Sequence, residues 1–188
     1  MTDGPQDRVL VVGIGGSPGT ESVTGRLLRD CLALVEKAGA RTELFDGDRL
    51  AELPIFTTHG YVPDPTSDAL VEAVRRADAV VIATPGYHGA MSGLVKNALD
   101  HLESLREDVR PYLDGRAVGA IVCSAGWQAC GTALVSVRSA VHALRGWPTP
   151  FGVTVNSAEQ QADDPRVVGG LQILADQLMQ FTDWQRAR

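Results

Sequence analysis

Apolar positions along this chain fall into two alternating rhythms. Short β-branched runs read as buried strands: RVLVVGI at 8–14, RTELF at 41–45, DAVVIAT at 78–84, RAVGAIVCS at 116–124 and PFGVTVN at 150–156. Between them lie stretches with apolar residues three and four apart, which predict helices over 22–38, 67–77, 93–105, 131–146 and 165–184. In the first of these, Val23, Leu27, Leu28, Cys31, Leu32, Leu34 and Val35 fall mostly on one face, and Gly39 stops the helix. Ser67 is the expected cap of the second. Residues 48–66 are proline-rich and without period, so they are expected to form a long surface loop that opens with a helical turn. Near-complete β–α alternation implies a parallel sheet covered by helices on both faces. A chain of 188 residues fits one such domain, 1–188.

Ligands of such sheets bind beyond the carboxyl ends of the strands. Three loops leave those ends here: 15–22, 84–92 and 124–131. The first is glycine-rich, yet it is no dinucleotide fingerprint. Counting Gly-x-Gly-x-x-Gly from Gly13 puts Pro18 where the third glycine belongs, and the Gly-Lys-Ser/Thr ending of a P-loop is missing. What the loop does offer is hydroxyls, from Ser17, Thr20, Ser22 and Thr24, around a helix N-terminus. The first N–H groups of a helix lack partners and carry partial positive charge, so this arrangement suits one phosphate group. An ordinary turn capped by Ser22 is the plainer alternative.

The second loop, TPGYHGAMSG at 84–93, places Tyr87 and His88 between Gly86 and Gly89, with Ser92 set to cap the next helix. Such a loop can lay backbone N–H groups and an aromatic ring along a flat ligand. Tyr87 as a core aromatic and His88 as a surface residue are the alternatives. The third, SAGWQACG at 124–131, carries Trp127, which suits either covering a flat ring or packing on a partner subunit.

Composition narrows the partners. A net charge of −6, with no basic run interleaved with aromatics, argues against nucleic acid or an anionic membrane surface. No apolar stretch approaches the ~18 residues of a membrane span, and the polar start MTDGPQDR is unlike a signal peptide. The three cysteines, Cys31, Cys123 and Cys130, contain no CxxC pair. They read as free thiols in a reducing compartment, which points to the cytoplasm. No second His or Cys stands at a ligand spacing from His88, so no metal site is expected.

Taken together, GSPGTESVTGRLL, TPGYHGAMSGLVKNALDHL and SAGWQACGTALVSVRSAVHALRG resemble the NAD(P)H-dependent FMN reductase family of flavodoxin-like proteins, over roughly residues 8–156. The middle segment is the most specific, with Thr84, Pro85, Tyr87, Ser92, Gly93, Lys96, Asn97, Leu99 and Asp100 matching the family pattern, and ELPIF at 52–56 is similar to another family segment. The resemblance implies a five-stranded flavodoxin-like α/β fold. It implies FMN as cofactor, with NADPH or NADH as co-substrate. It assigns the phosphate to Ser17, Gly19, Ser22, Val23 and Thr24. The flavin ring goes to Pro85, Gly86, Tyr87, His88 and Gly89 on one side, and to Ser124, Ala125 and Gly126 on the other.

Two departures stand out. Gly19 occupies the place where many members carry an arginine, and a lost charge-assisted hydrogen bond is worth ~1.5–3 kcal/mol. Arg26 is a candidate substitute. His88 replaces a common asparagine. The implied activity is hydride transfer from NAD(P)H to FMN without a protein acid or base, the reduced flavin serving a second acceptor or a partner monooxygenase. A prosthetic-FMN quinone or azo reductase and an electron carrier without NAD(P)H activity are the alternatives, with a flavin-free scaffold protein behind them. A homo-oligomer is a family expectation, compatible with Trp127, Trp147 and the long 103–114 connection.

Overall fold

The computed structural model describes residues 8–19, 21–58 and 64–187. Thr20 lies outside them, as does part of the expected 48–66 loop. The strands are β1 (Leu10–Gly15), β2 (Arg41–Phe45), β3 (Ala79–Tyr87), β4 (Ala90–Met91), β5 (Ala117–Ser124), β6 (Trp147–Pro148) and β7 (Val153–Asn156). The helices are α1 (Val23–Lys37), α2 (Gly47–Ala51), α3 (Pro65–Arg76), α4 (Gly93–His101), α5 (Trp127–Ala143) and α6 (Pro165–Arg186). A 3₁₀ turn, Leu102–Leu105, extends α4.

The parallel sheet runs β2-β1-β3-β5, and its last position is shared by β6 and β7, which pair with the beginning and the end of β5. This is the expected five-stranded flavodoxin-like order with the fifth strand broken in two. Proline at 148 and 150 explains the break, since proline cannot donate to a ladder. Alternate residues of each strand feed opposite cores. Val12, Ile14, Val80, Ile82 and Val118 pack beneath α3, α4 and α5, whereas Val11, Val81, Ile121 and Val153 pack beneath α1 and α6. On α1, Leu27, Leu28, Cys31, Leu32 and Val35 of the predicted stripe are buried, each leucine contributing ~1.5–3 kcal/mol, whereas Val23 at the start of the helix is exposed and Leu34 only partly buried.

Two helix starts differ from expectation. Asp64, not Ser67, caps α3: its Oδ1 accepts from the N–H groups of Thr66 and Ser67, and Pro65 takes the first helical position. Helix α5 begins at Trp127 rather than Gly131, so the third loop shrinks to residues 124–126. Among the described residues, no helix is long and apolar enough to cross a membrane.

Candidate active site

The three loops meet at the carboxyl edge of the sheet, because β3 lies between β1 and β5, with Gly15 beside Ala83 and Pro85 beside Cys123. After β1 the chain bonds once more to β3, Gly16 N–H to the Ala83 carbonyl at 3.0 Å, then turns into α1. Ser22 organises that turn. Its Oγ accepts from Gly25 N–H (3.0 Å) and Ser17 N–H (3.1 Å), and lies 2.8 Å from Ser17 Oγ. Val23 and Thr24 head the helix, so their N–H groups have no intrahelical acceptor. The Thr24 side chain is buried, so the residue's backbone N–H rather than its hydroxyl is what it offers to the loop. Ser17, Gly19, Ser22 and Gly25 line a cleft of about 220 Å³ together with Arg29, Asp46 and Asp48.

The second loop is a continuation of β3. The chain runs straight to Tyr87, turns over His88 and Gly89, and returns as β4, pairing Tyr87 with Ala90 and Gly86 with Met91. His88 and Gly89 both have positive φ, 52° and 83°, as a two-residue hairpin of type I′ requires. Asn, Asp and His tolerate that conformation better than other non-glycine residues, so histidine can replace asparagine here without changing the turn. The hairpin is tied back at its base: Thr84 Oγ1 accepts from Ser92 N–H at 2.9 Å, and Ser92 Oγ caps α4 through Val95 N–H. Tyr87 is 56% exposed, which excludes the core reading.

Hairpin and third loop enclose a second cleft, of about 560 Å³, lined by Gly86, His88, Gly89 and Ser124 to Gly126, with Gln128, Ala129 and Thr132 of α5. Gly86 brings the two together: a Cβ there would lie 3.1 Å from Ser124 Cβ and 3.3 Å from the Ala129 carbonyl. Gly126 caps α5 without a side chain, so the N–H groups of its first turn remain open beside the cleft. One edge of the sheet thus offers a hydroxyl-lined helix terminus and a wider cleft walled by backbone. The sequence profile of the NADPH-dependent FMN reductase family matches residues 9–160.

The chain belongs to this family. It is an NAD(P)H-dependent flavin oxidoreductase, with FMN and NAD(P)H as its redox pair. An NAD(P)H-dependent FMN reductase of Pseudomonas aeruginosa is 29% identical over 160 residues, spanning 84% of this chain and 83% of that one. An FMN-dependent NADPH-azoreductase of Staphylococcus aureus is 28% identical over 151 residues, 77% of this chain and 75% of the relative. Among solved structures, an oxidoreductase from Corynebacterium diphtheriae superposes with a TM-score of 0.76 at 17% identity, covering 94% of this chain and 98% of that one, which shows the shared fold.

Motif residues of the reductase outside the clefts also have structural roles. Asn97 holds the ELPIF segment from both sides, its Oδ1 accepting from Phe56 N–H (2.8 Å) and its Nδ2 donating to the Pro54 carbonyl (3.0 Å). Buried His101 adds a 2.9 Å bond from Nε2 to the same carbonyl, which fixes the proton on Nε2. The two family segments, 52–56 and 93–101, are therefore one packed unit. Trp127 is half exposed and donates through Nε1 to Glu159 Oε2 at 3.0 Å. All three cysteines are buried; burial pushes the Cys31 thiol up to about 12 and raises that of Cys123. Cys130 packs against Ser124 Oγ (3.2 Å) and the Val155 carbonyl (3.3 Å).

The missed residue is Arg29. Arg26 pairs with Asp30 at 3.7 Å and does not line the hydroxyl cleft. Arg29 does, lying back along α1 so that a Cβ on Gly25 would sit 3.5 Å from its Nη1. The four-residue spacing from a glycine in the first turn is a readable signal, because helical side chains lean toward the N-terminus. If Arg29 supplies the cation absent at Gly19, Arg29→Ala should weaken FMN binding roughly five- to thirtyfold and leave riboflavin binding unchanged in a fluorescence titration.

Proposed function

We propose that the enzyme is a flavin reductase of one domain that binds FMN across the two clefts. The phosphate sits at Ser17, Gly19, Ser22 and the Val23 and Thr24 N–H groups, with the ring between Pro85–Gly89 and Ser124–Gly126. The observation that carries this reading is the convergence of an open helix N-terminus and a wide backbone-lined cleft on one sheet edge. The donors fit the group: hydroxyls and unpaired N–H groups suit a phosphate dianion, and the glycine-rich walls admit a flat ring. When bound, FMN supplies the two-electron acceptor for hydride from NAD(P)H. The protein contributes orientation and electrostatics. The hairpin and α5 position the ring. The uncapped α5 terminus places partial positive charge beside it, which favours the extra negative charge of a reduced ring. His88 serves as a turn residue, and no protein acid or base is assigned.

Tyr87 does not itself line the cleft but stands exposed on the hairpin between Gly86 and His88, which do, and it does not support the core. Tyr87→Ala is therefore expected to weaken FMN binding about tenfold by loss of ring contact, with the melting temperature nearly unchanged.

Ser22→Asp separates capping from phosphate binding. Aspartate caps as well as serine, so stability should hold within about 1 kcal/mol, while FMN affinity falls at least about tenfold through charge repulsion. Unchanged affinity would remove the phosphate assignment.

The direct test follows NADH and NADPH absorbance across a range of added FMN. Saturable oxidation requiring added FMN supports an exchangeable flavin that serves a second acceptor or a monooxygenase. Oxidation by protein that stays yellow, rising with a quinone or azo dye, supports a fixed flavin instead. No oxidation in any mixture defeats the reductase reading. We further propose a cytoplasmic homo-oligomer. Three buried free thiols suit a reducing compartment, and exposed Trp147 and Trp184 border an apolar groove suited to a subunit contact.

A further inference from the structure

We infer that Asp48 competes with the FMN phosphate for its own loop, so that the flavin is a loosely held, exchangeable substrate. This rests on the phosphate assignment above. The carboxylate Oδ1 of Asp48 accepts a 2.9 Å hydrogen bond from Gly19 N–H, 29 residues away in sequence. Gly19 is in the left-handed region, φ 98°, and it is the position where the resemblance expects an arginine. The loop thus presents a carboxylate on a donor that a phosphate would use.

Asp48 is held there by the backbone. Helix α2 is pressed onto the phosphate loop through Gly47, where a Cβ would lie 2.3 Å from the Ser17 carbonyl carbon and 2.7 Å from Pro18 N. No bulkier residue permits this approach. The neighbouring acid, Asp46, is spent inside α2, capping it through Arg49 N–H at 3.1 Å. Asp48 makes the bond that crosses to the loop, and both acids line the same 220 Å³ cleft as Ser17, Ser22 and Arg29. Binding a phosphate there must displace the Asp48 carboxylate from Gly19 and then tolerate it as a like-charged neighbour. A flavin without phosphate makes neither demand. Asp48 therefore sets how strongly the enzyme prefers FMN to riboflavin.

The experiment is a fluorescence titration of FMN and riboflavin against the wild-type protein, Asp48→Asn and Asp48→Ala at low salt. Both variants should bind FMN about tenfold more tightly, because a charge repulsion is removed and a backbone donor freed. Riboflavin affinity should stay within about twofold. The exposed position of Asp48 keeps both variants folded, and the two substitutions together exclude a gain made by the new amide itself. Unchanged or weaker FMN binding in both overturns the competition while leaving the flavin site standing. An equal gain for riboflavin overturns it too, since the effect would not pass through the phosphate. If no form binds either flavin, the competition and the site assignment fall together.

Discussion

A single methyl group at Gly15 is expected to cost ~3 kcal/mol or more of stability and to abolish FMN binding. Gly15 is the last residue of β1 and stands beside Ala83 of β3. Its φ of 139° is one that side chains rarely adopt, and a Cβ would lie 1.8 Å from the Ala83 carbonyl oxygen, well inside contact. No side-chain rotation relieves a clash between backbones, so β1 and β3 must part at the carboxyl edge of the sheet. That parting breaks the bond from Gly16 N–H to the same carbonyl and carries the Ser17–Ser22 turn with it. Gly131→Ala is the matching control. That glycine sits inside α5 with nothing within 4 Å of a Cβ, so alanine there should stabilise by ~0.5–1 kcal/mol through helix propensity. Thermal unfolding and a flavin titration on both variants check the pair. A Gly15→Ala protein that melts and binds FMN like the wild type would contradict the strand-end geometry on which the site depends.

That control also shows why some of this enzyme reads directly from sequence and some does not. Strands and helices with a full apolar period were legible, because burial of one face dictates both the period and the fold. Gly131 misled as a helix start because glycine reads as a break, whereas the true cap, Gly126, has no side chain to announce itself. Pro65 after Asp64 was a readable start signal that Ser67 obscured. The candidate loops were legible as strand ends, but the hairpin at His88–Gly89 was not, since its turn needs positive φ that histidine seldom advertises. Arg29 followed from helical spacing once the cleft was known. Asp48 on Gly19 was beyond reach, because it depends on how α2 packs against a loop far away in sequence. The site's elements are thus local, and its electrostatics are tertiary.

The opposite edge of the sheet sustains the other large effect. Arg116→Ala is expected to destabilise the protein by ~3–5 kcal/mol while leaving the FMN affinity of the folded protein intact. Arg116 immediately precedes β5 and is fully buried, the largest such side chain among the described residues. Its guanidinium donates only to carbonyls: Nε to Ala77 (3.1 Å), Nη1 to Tyr112 and Asp114 (3.2 Å each), and Nη2 to Arg75 (2.7 Å). It thereby joins the carboxyl end of α3, where a helix favours a cation, to the connection that leads into β5. Within the 103–114 segment it holds the carbonyls of Tyr112 and Asp114. Burial pulls the Arg116 pKa down to about 10, with Arg110 adding repulsion. A lowered value means that the charge itself opposes folding, and below about pH 10 that cost is constant, so neutral-pH stability should not vary on its account. Alanine would take this donor from the Tyr112 and Arg75 carbonyls and leave those of Ala77 and Asp114 with only their longer bonds from Arg110 (3.4 and 3.3 Å). Arg116→Lys keeps the charge but not the planar fork, so it should fall between alanine and wild type. At ~2–4 °C per kcal/mol for a chain of this size, the alanine variant should melt roughly 10 °C lower. A titration at 10 °C should then give wild-type FMN affinity, because Ser124 and the clefts lie at the far end of β5 from Arg116. Loss of affinity in protein that is still folded would mean that the two edges of the sheet are coupled.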